Sequence, residues 1–166
     1  MIQKKICMLG AFAVGKTSLV QRFVHSMYSD KYQTTVGVKI DKKALTAGNT
    51  EVTLMLWDLA GEDDFQSLRT SYLRGGSGYL LVVDGTRRAT LDTALGLHKI
   101  AREVMGNVPF TLVVNKADLV DQWEIDTALV DKLAEEGWDV LPTSAKSGEG
   151  VEDAFNRLAV RMVGGA

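Results

Sequence analysis

Apolar positions along this chain follow two rhythms that take turns. Short runs rich in β-branched and aromatic residues fall at Lys5–Leu9, Val52–Trp57, Tyr79–Val83, Phe110–Val114 and Val140–Leu141. Between most of them the apolar spacing is helical. Leu19 and Phe23 form an i, i+4 stripe; Leu91, Leu95, His98 and Arg102 keep that spacing less purely; Val151, Phe155, Leu158 and Met162 keep it cleanly. Strand alternating with helix predicts an α/β fold built on a parallel, doubly wound sheet. One exception comes early, where Val36–Thr46 and Thr50–Trp57 are extended runs separated by Ala47-Gly48-Asn49. A hairpin turn there makes one edge strand antiparallel to the rest. Lys39, Asp41 and Lys43, alternating with Val38, Ile40 and Lys42, suit an exposed edge, where charge discourages pairing with another chain.

The 166 residues are 46% hydrophobic and 24% charged, the balance of one domain with a sizeable core, expected to span 1–166. Pro109 and Pro142 are the only prolines, and no repeat or linker-like stretch divides the chain. A net charge of -2 argues against a nucleic-acid partner. The single cysteine, Cys7, sits between Ile6 and Met8, as a reduced, buried thiol would, and a cytoplasmic location is expected. Apolar runs such as Tyr79–Val83 fall far short of the roughly 20 residues of a membrane helix. Met1–Lys5 leads into a strand and not into a signal-peptide core, and Met162–Ala166 has no prenylatable cysteine, so no direct membrane anchor is expected.

The chemistry begins at Gly10-Ala11-Phe12-Ala13-Val14-Gly15-Lys16-Thr17, which fits G-x-x-x-x-G-K-[ST] between an apolar strand and the Leu19/Phe23 helix. In that context backbone N–H groups and the helix dipole capture phosphates, Lys16 adds a point charge, and the Thr17 hydroxyl ligates Mg²⁺. Asp58, ending another apolar run, supplies a metal-side carboxylate, and Gly61 a backbone N–H able to approach a terminal phosphate. Asn115-Lys116-Ala117-Asp118 and Thr143-Ser144-Ala145-Lys146 also follow strands. A carboxylate such as Asp118 accepts from guanine N1–H and its 2-amino group, whereas adenine leaves it unpaired at a cost of about 1–3 kcal/mol or more. An ATP-using kinase is disfavoured by that reader and by the lack of an acceptor-binding lid insertion.

These four motifs, in this order and at this length, resemble the Ras superfamily of small GTPases across essentially the whole chain. Trp57-Asp58, Tyr72-Leu73-Arg74-Gly75-Gly76-Ser77-Gly78 and Thr35-Val36-Gly37-Val38 are most similar to the Rab branch. The resemblance implies a P-loop NTPase fold: six strands, mostly parallel, one antiparallel at the edge, with helices on both faces. It implies a switch that binds GTP and GDP with Mg²⁺ and hydrolyses GTP slowly without an activating partner. By carry-over Ala13, Val14, Gly15, Lys16, Thr17 and Ser18 surround the phosphates. Thr17, Thr35 and, through water, Asp58 serve the metal, while Lys16, Thr35, Gly61 and Glu62 form the catalytic set. Tyr28 packs on the base edge, Asn115 braces the phosphate loop, the Lys116 stem covers the base and Asp118 reads it. Ala145 N–H meets the guanine oxygen, supported by Ser144 and Lys146. Asp30–Gly37 and Leu59–Ser71 become the two switches through which effectors, an exchange factor and an activator engage.

Two residues depart from that pattern. Glu62 stands where the family usually has a glutamine that orients the attacking water; an ionised carboxylate cannot donate a hydrogen bond. Hydrolysis is then slow, or Glu62 takes a proton from water. Phe12 stands in the phosphate loop where relatives have small residues, over the space an activator's arginine needs. Together they motivate an alternative, a GTP-bound interaction module with little or no hydrolysis. Arg69, Arg74, Arg87 and Arg88 are read as solvated surface charges before roles as internal arginine fingers. His25 and His98 lack metal-ligand spacing. Met8, Met55, Met105 and Met162 are read as core fillers, Trp123 and Trp138 as covers of helix and sheet edges. Trp57 suits a partner surface and core packing equally.

Overall fold

The structure, a computed structural model, describes residues 2–11, 13–26, 38–59, 70–125 and 127–164. The elements are β1 (Ile2–Gly10), α1 (Lys16–His25), β2 (Val38–Ala47), β3 (Thr50–Leu59), α2 (Thr70–Leu73), β4 (Gly78–Asp84), α3 (Ala89–Met105), β5 (Phe110–Asn115), a 3₁₀ segment (Ala117–Gln122), α4 (Thr127–Glu135), β6 (Val140–Pro142) and α5 (Val151–Val163). They form one six-stranded sheet in the order β2-β3-β1-β4-β5-β6. All its pairings are parallel except β2 with β3. This is the predicted α/β sheet with its antiparallel edge strand.

Side chains leaving the central strands in opposite directions build two cores. On one face Ile6, Met8, Leu80, Val82 and Val113 meet Leu19 and Phe23 of α1 and Val151, Phe155, Leu158 and Met162 of α5. On the other, Cys7, Leu9, Tyr79, Leu81, Val83, Leu112 and Val114 meet Leu91, Ala94, Leu97 and Ala101 of α3 and Leu133 of α4. Every residue of β4 is buried, so its near-continuous apolar sequence reflects cover on both faces. Burial pushes the Cys7 thiol up to about 12, an effect that nearby Lys5 only partly offsets. No helix among the described residues is long and apolar enough to cross a membrane.

Several details differ from the sequence reading. Helix α3 buries Thr90, Leu91, Ala94, Leu97 and Ala101, so its apolar stripe is turned away from the Leu95–His98–Arg102 line. The small Ala94 and Ala101, weak as hydrophobic markers, let the helix lie close to β4 and β1. The hairpin turn is Gly48-Asn49 alone, since Ala47 pairs with Thr50. On β2, Lys42, Ala44 and Thr46 face solvent with Ile40, 43% exposed, while Asp41 and Lys43 are half-buried and Leu45 packs on the α1/α5 core. Met8 and Met162 are buried and Met105 packs against the second core, but Met55 is half-exposed and belongs to neither core.

Candidate functional site

Strands β1, β3, β4, β5 and β6 deliver their carboxyl ends to one edge of the sheet, and the polar residues buried in this protein gather there. Among the described residues these are Lys16, Asp58, Asp84, Asn115, Thr143 and Ser144, with Thr90 close by, whereas buried Thr111 sits near the start of β5. A parallel sheet places the loops after its strands together, which is why motifs more than 100 residues apart meet.

The loop between β1 and α1 is wound tightly. Ala13 is left-handed at φ 60° and Gly15 at φ 105°. A Cβ on Gly15 would collide with the Asn115 amide, so glycine is needed there for space as well as for its backbone. Gly15 caps α1 without any side-chain bond, its carbonyl accepting from Leu19 N–H at 2.8 Å. The opening N–H groups of a helix lack partners within that helix. No acidic residue occupies the first turn, which leaves the positive end of the helix dipole unneutralised by its own side chains. The Lys16 ammonium is folded back into the loop, donating to Gly10 O at 2.6 Å. Thr17 Oγ1 donates to Asp58 Oδ2 at 2.5 Å, joining the start of α1 to the end of β3. A hydroxyl and a carboxylate brought together this way are hard oxygen donors of the kind Mg²⁺ takes.

Asn115 is the hub between the loops. Its Nδ2 donates to Val14 O at 3.0 Å, while Oδ1 accepts from Thr143 Oγ1 at 3.1 Å and from Ala145 N–H at 3.4 Å. Ser144 Oγ donates to Asp118 Oδ1 at 2.7 Å, fixing the exposed carboxylate. Lys146 is exposed, and its carbonyl accepts from Arg22 of α1 at 2.7 Å. Lys116 Nζ pairs with Asp84 Oδ2 at 2.7 Å. Burial disfavours charge on Asp84, but bonds from Lys116, Thr86 and Arg87 outweigh it and hold the carboxyl below its usual range.

Of the expected residues, Ala13, Val14, Gly15, Lys16, Thr17, Ser18, Asp58, Asn115, Lys116, Asp118, Ser144, Ala145 and Lys146 lie on these converging loops or at the start of α1. Phe12, Tyr28, Thr35, Gly61, Glu62 and Arg69 lie outside the described residues. So do both expected switches, apart from the backbone of Leu59, Thr70 and Ser71. Trp57 is half-buried, with the Lys5 ammonium 3.6 Å from its ring centre. Three participants were missed. Thr143 lies within the fourth motif, and the sequence by itself assigns it no role. Asp84 ends an apolar strand as Asp58 does, and that position was its signal. Trp123 packs on Gly85, just past the end of β4, and donates its indole N–H to Lys116 O at 2.9 Å, a link beyond the edge cover expected of it. Arg87, expected as a solvated surface charge, is partly exposed and paired with Asp84 at 3.0 Å.

A mostly parallel six-stranded sheet, with a glycine-lysine-threonine loop between its first strand and a helix, defines the P-loop class of nucleotide-binding folds. Comparison with known proteins narrows it: the model of the Ras family matches residues 5–163. The chain is 34% identical over 158 residues to Ras-related protein Rab-1 of Theileria annulata, covering 93% of this chain and 72% of that protein. It is 33% identical over 158 residues to Ras-related protein Rab-1 of Theileria parva, with the same coverage. Ras-related protein RABA4a of Arabidopsis thaliana is 34% identical over 160 residues, covering 95% and 71%. The chain belongs to the Ras family of small, GTP-binding GTPases and is Rab-like.

Proposed function

We propose that this protein is a guanine-nucleotide switch that binds GTP or GDP with Mg²⁺ at the carboxyl edge of its sheet and hydrolyses GTP slowly. The observation that carries this reading is the Asn115 amide, which joins the phosphate-loop carbonyl of Val14 to Thr143 and Ala145. Phosphate and base recognition are thereby held in one rigid frame, as a ligand with both ends requires.

Within it the N–H groups of the Ala13–Ser18 stretch and the Lys16 ammonium neutralise phosphate charge. Thr17, Thr35 and, through water, Asp58 would hold Mg²⁺, whose chemistry there would be to neutralise phosphate charge. Tyr28 and the Lys116 stem flank the base, Asp118 reads its N1–H and 2-amino group, and Ala145 N–H meets its oxygen. Lys16, Thr35, Gly61 and Glu62 are the catalytic set, Glu62 acting on the attacking water. Effectors, an exchange factor and an activator engage through Asp30–Gly37 and Leu59–Ser71. The protein acts in the cytoplasm and takes no nucleic-acid partner.

Single-turnover GTP hydrolysis at saturating Mg²⁺, comparing wild type with Glu62→Gln and Phe12→Gly, tests this. A measurable wild-type rate that changes in the Glu62 variant is expected. Tight GTP binding with no wild-type turnover, and a rate restored by either substitution, would replace the timed switch with the non-hydrolysing interaction module that Glu62 and Phe12 suggest.

A further inference from the structure

Lys116 is held in a conformation it does not favour. It is a left-handed residue without being glycine, at φ 70° and ψ 41°, a state that costs an L-residue roughly 1–2 kcal/mol. Contacts at both its ends maintain it. At the side-chain end the ammonium meets Asp84, a carboxylate with no exposed surface, at 2.7 Å. Asp84 is itself fixed by Thr86 N–H at 2.8 Å, Thr86 Oγ1 at 2.7 Å and Arg87 Nε at 3.0 Å. At the backbone end the Lys116 carbonyl accepts from Leu119 N–H at 2.9 Å and from the Trp123 indole N–H at 2.9 Å.

The indole is seated by the residue after Asp84. The Trp123 ring lies so close over Gly85 that any Cβ on that residue would strike it. The chain beyond the ring is tied to the same glycine, Gly85 O accepting from Glu124 N–H at 2.9 Å and from Ile125 N–H at 3.3 Å. Ile125 then plugs into the core under α3. The Asp84-Gly85 step at the end of β4 thus grips Lys116 twice, through a charge on one side and through an indole on the other.

We infer that Trp123 and Asp84 are positioning residues that hold Lys116 for the purine, one at its carbonyl and one at its ammonium, and so set how long a guanine nucleotide stays bound. The inference rests on the nucleotide reading above and deepens it. Neither residue touches the base; each acts through Lys116. Trp123 is one of three tryptophans in the chain, so its indole also reports on the site.

The experiment is dissociation of GDP carrying a fluorescent label on its ribose, chased with unlabelled GDP in excess Mg²⁺. It compares wild type, Trp123→Phe, Asp84→Asn, Lys116→Met and the double variant Asp84→Asn with Lys116→Met. Trp123→Phe keeps an aromatic ring on Gly85 and removes only the N–H, and it is expected to raise the off-rate about 3- to 10-fold. Asp84→Asn, which breaks a charge-assisted bond, is expected to raise it about 10-fold or more. In the Lys116→Met background Asp84→Asn is expected to add nothing, because the group through which it acts is gone. A purely structural role would instead make the two effects multiply.

A second measurement covers the case in which the buried Asp84 variant does not fold. The indole N–H resonance of Trp123 in the wild type, assigned by its loss in Trp123→Phe, is expected to be protected from solvent exchange with GDP bound. It should lose protection when EDTA strips the nucleotide. Wild-type off-rates in Trp123→Phe, multiplying effects in the double variant, or an indole resonance indifferent to nucleotide would each overturn the inference while leaving the site reading intact. Failure of the wild type to bind GDP at all would overturn both.

Discussion

Asp118 is an exposed carboxylate on a short 3₁₀ segment, and Ser144, from a different loop, pins one of its oxygens at 2.7 Å, which supports the base-reading role proposed for it. The other oxygen is then partly pre-oriented, which lowers the entropy lost on binding. Replacing Asp118 by Asn turns one acceptor into a donor, which suits the 2-oxo group of xanthine and not the 2-amino group of guanine. Asp118→Asn is therefore expected to weaken GDP binding by about 1.5–3 kcal/mol, roughly 10- to 100-fold, and to gain xanthosine diphosphate. Competition of both nucleotides against a fluorescent GDP checks it, and unchanged guanine preference would move the reader elsewhere. Lys116 shows the opposite limit of sequence reading. Its motif marks it at once, yet its left-handed backbone and the Asp84 and Trp123 contacts that hold it are invisible until β4 and β5 are paired, Asp84 beside Asn115.

Among the elements, α1 and α5 were the easiest to place because their stripes carry large side chains. Phe23 and Phe155 stack with ring centres 4.3 Å apart and an interplanar angle of 10°, and this contact joins the helix that bears Lys16 and Thr17 to the last helix of the chain. Phe155→Ala is expected to cost about 3–5 kcal/mol of stability, measured by urea unfolding, because both the transfer energy and a cavity are involved. Helix α3 was harder, since it buries Ala94 and Ala101 while presenting Leu95 and His98 at half-covered positions. His98 lies among Tyr79, Phe110 and Trp138, and its Nδ1 is 2.9 Å from Tyr79 Oη. Burial first, and then the charge of Arg102, push its pKa below the usual imidazole value. The unfolded chain therefore binds this proton more readily than the folded one. The contribution of His98 is full above about pH 6.5 and is lost as pH falls through the folded pKa. Thermal unfolding between pH 7 and 5 should show this loss and His98→Phe should reduce it; identical pH slopes in the two proteins would remove His98 as the cause.

The whole molecule is a sheet between two cores whose polar residues meet at one edge. Among them Lys16, Asp58 and Asp84 are buried charges, and the Gly15 and Lys116 backbones beside them are left-handed. A ligand that binds only the native state adds stability by mass action, about 2.7 kcal/mol at 100 times its Kd. GDP with Mg²⁺ is accordingly expected to raise the unfolding temperature by several degrees, ADP to do nothing, and EDTA to reverse the gain. Equal shifts with GDP and ADP would refute guanine selectivity for the protein as a whole.

Much of this architecture was legible in one dimension because it rests on short-range regularities. Period-2 and continuous apolar runs mark strands, 3.6-residue stripes mark helices, and Gly15-Lys16-Thr17 or Asn115-Lys116-Ala117-Asp118 at strand ends mark phosphate and base chemistry. Such signals need no knowledge of neighbours. Only tertiary structure decided which face α3 buries, why Met55 is left outside, where Arg87 finds its carboxylate and how Trp123 comes to sit on Gly85. Those outcomes depend on pairings between β4, β5 and the loops beyond them. The energy of a buried ion pair or a ring packed on a glycine arises from which atoms exclude water around it, a property of neighbours in space and not of neighbours in the chain.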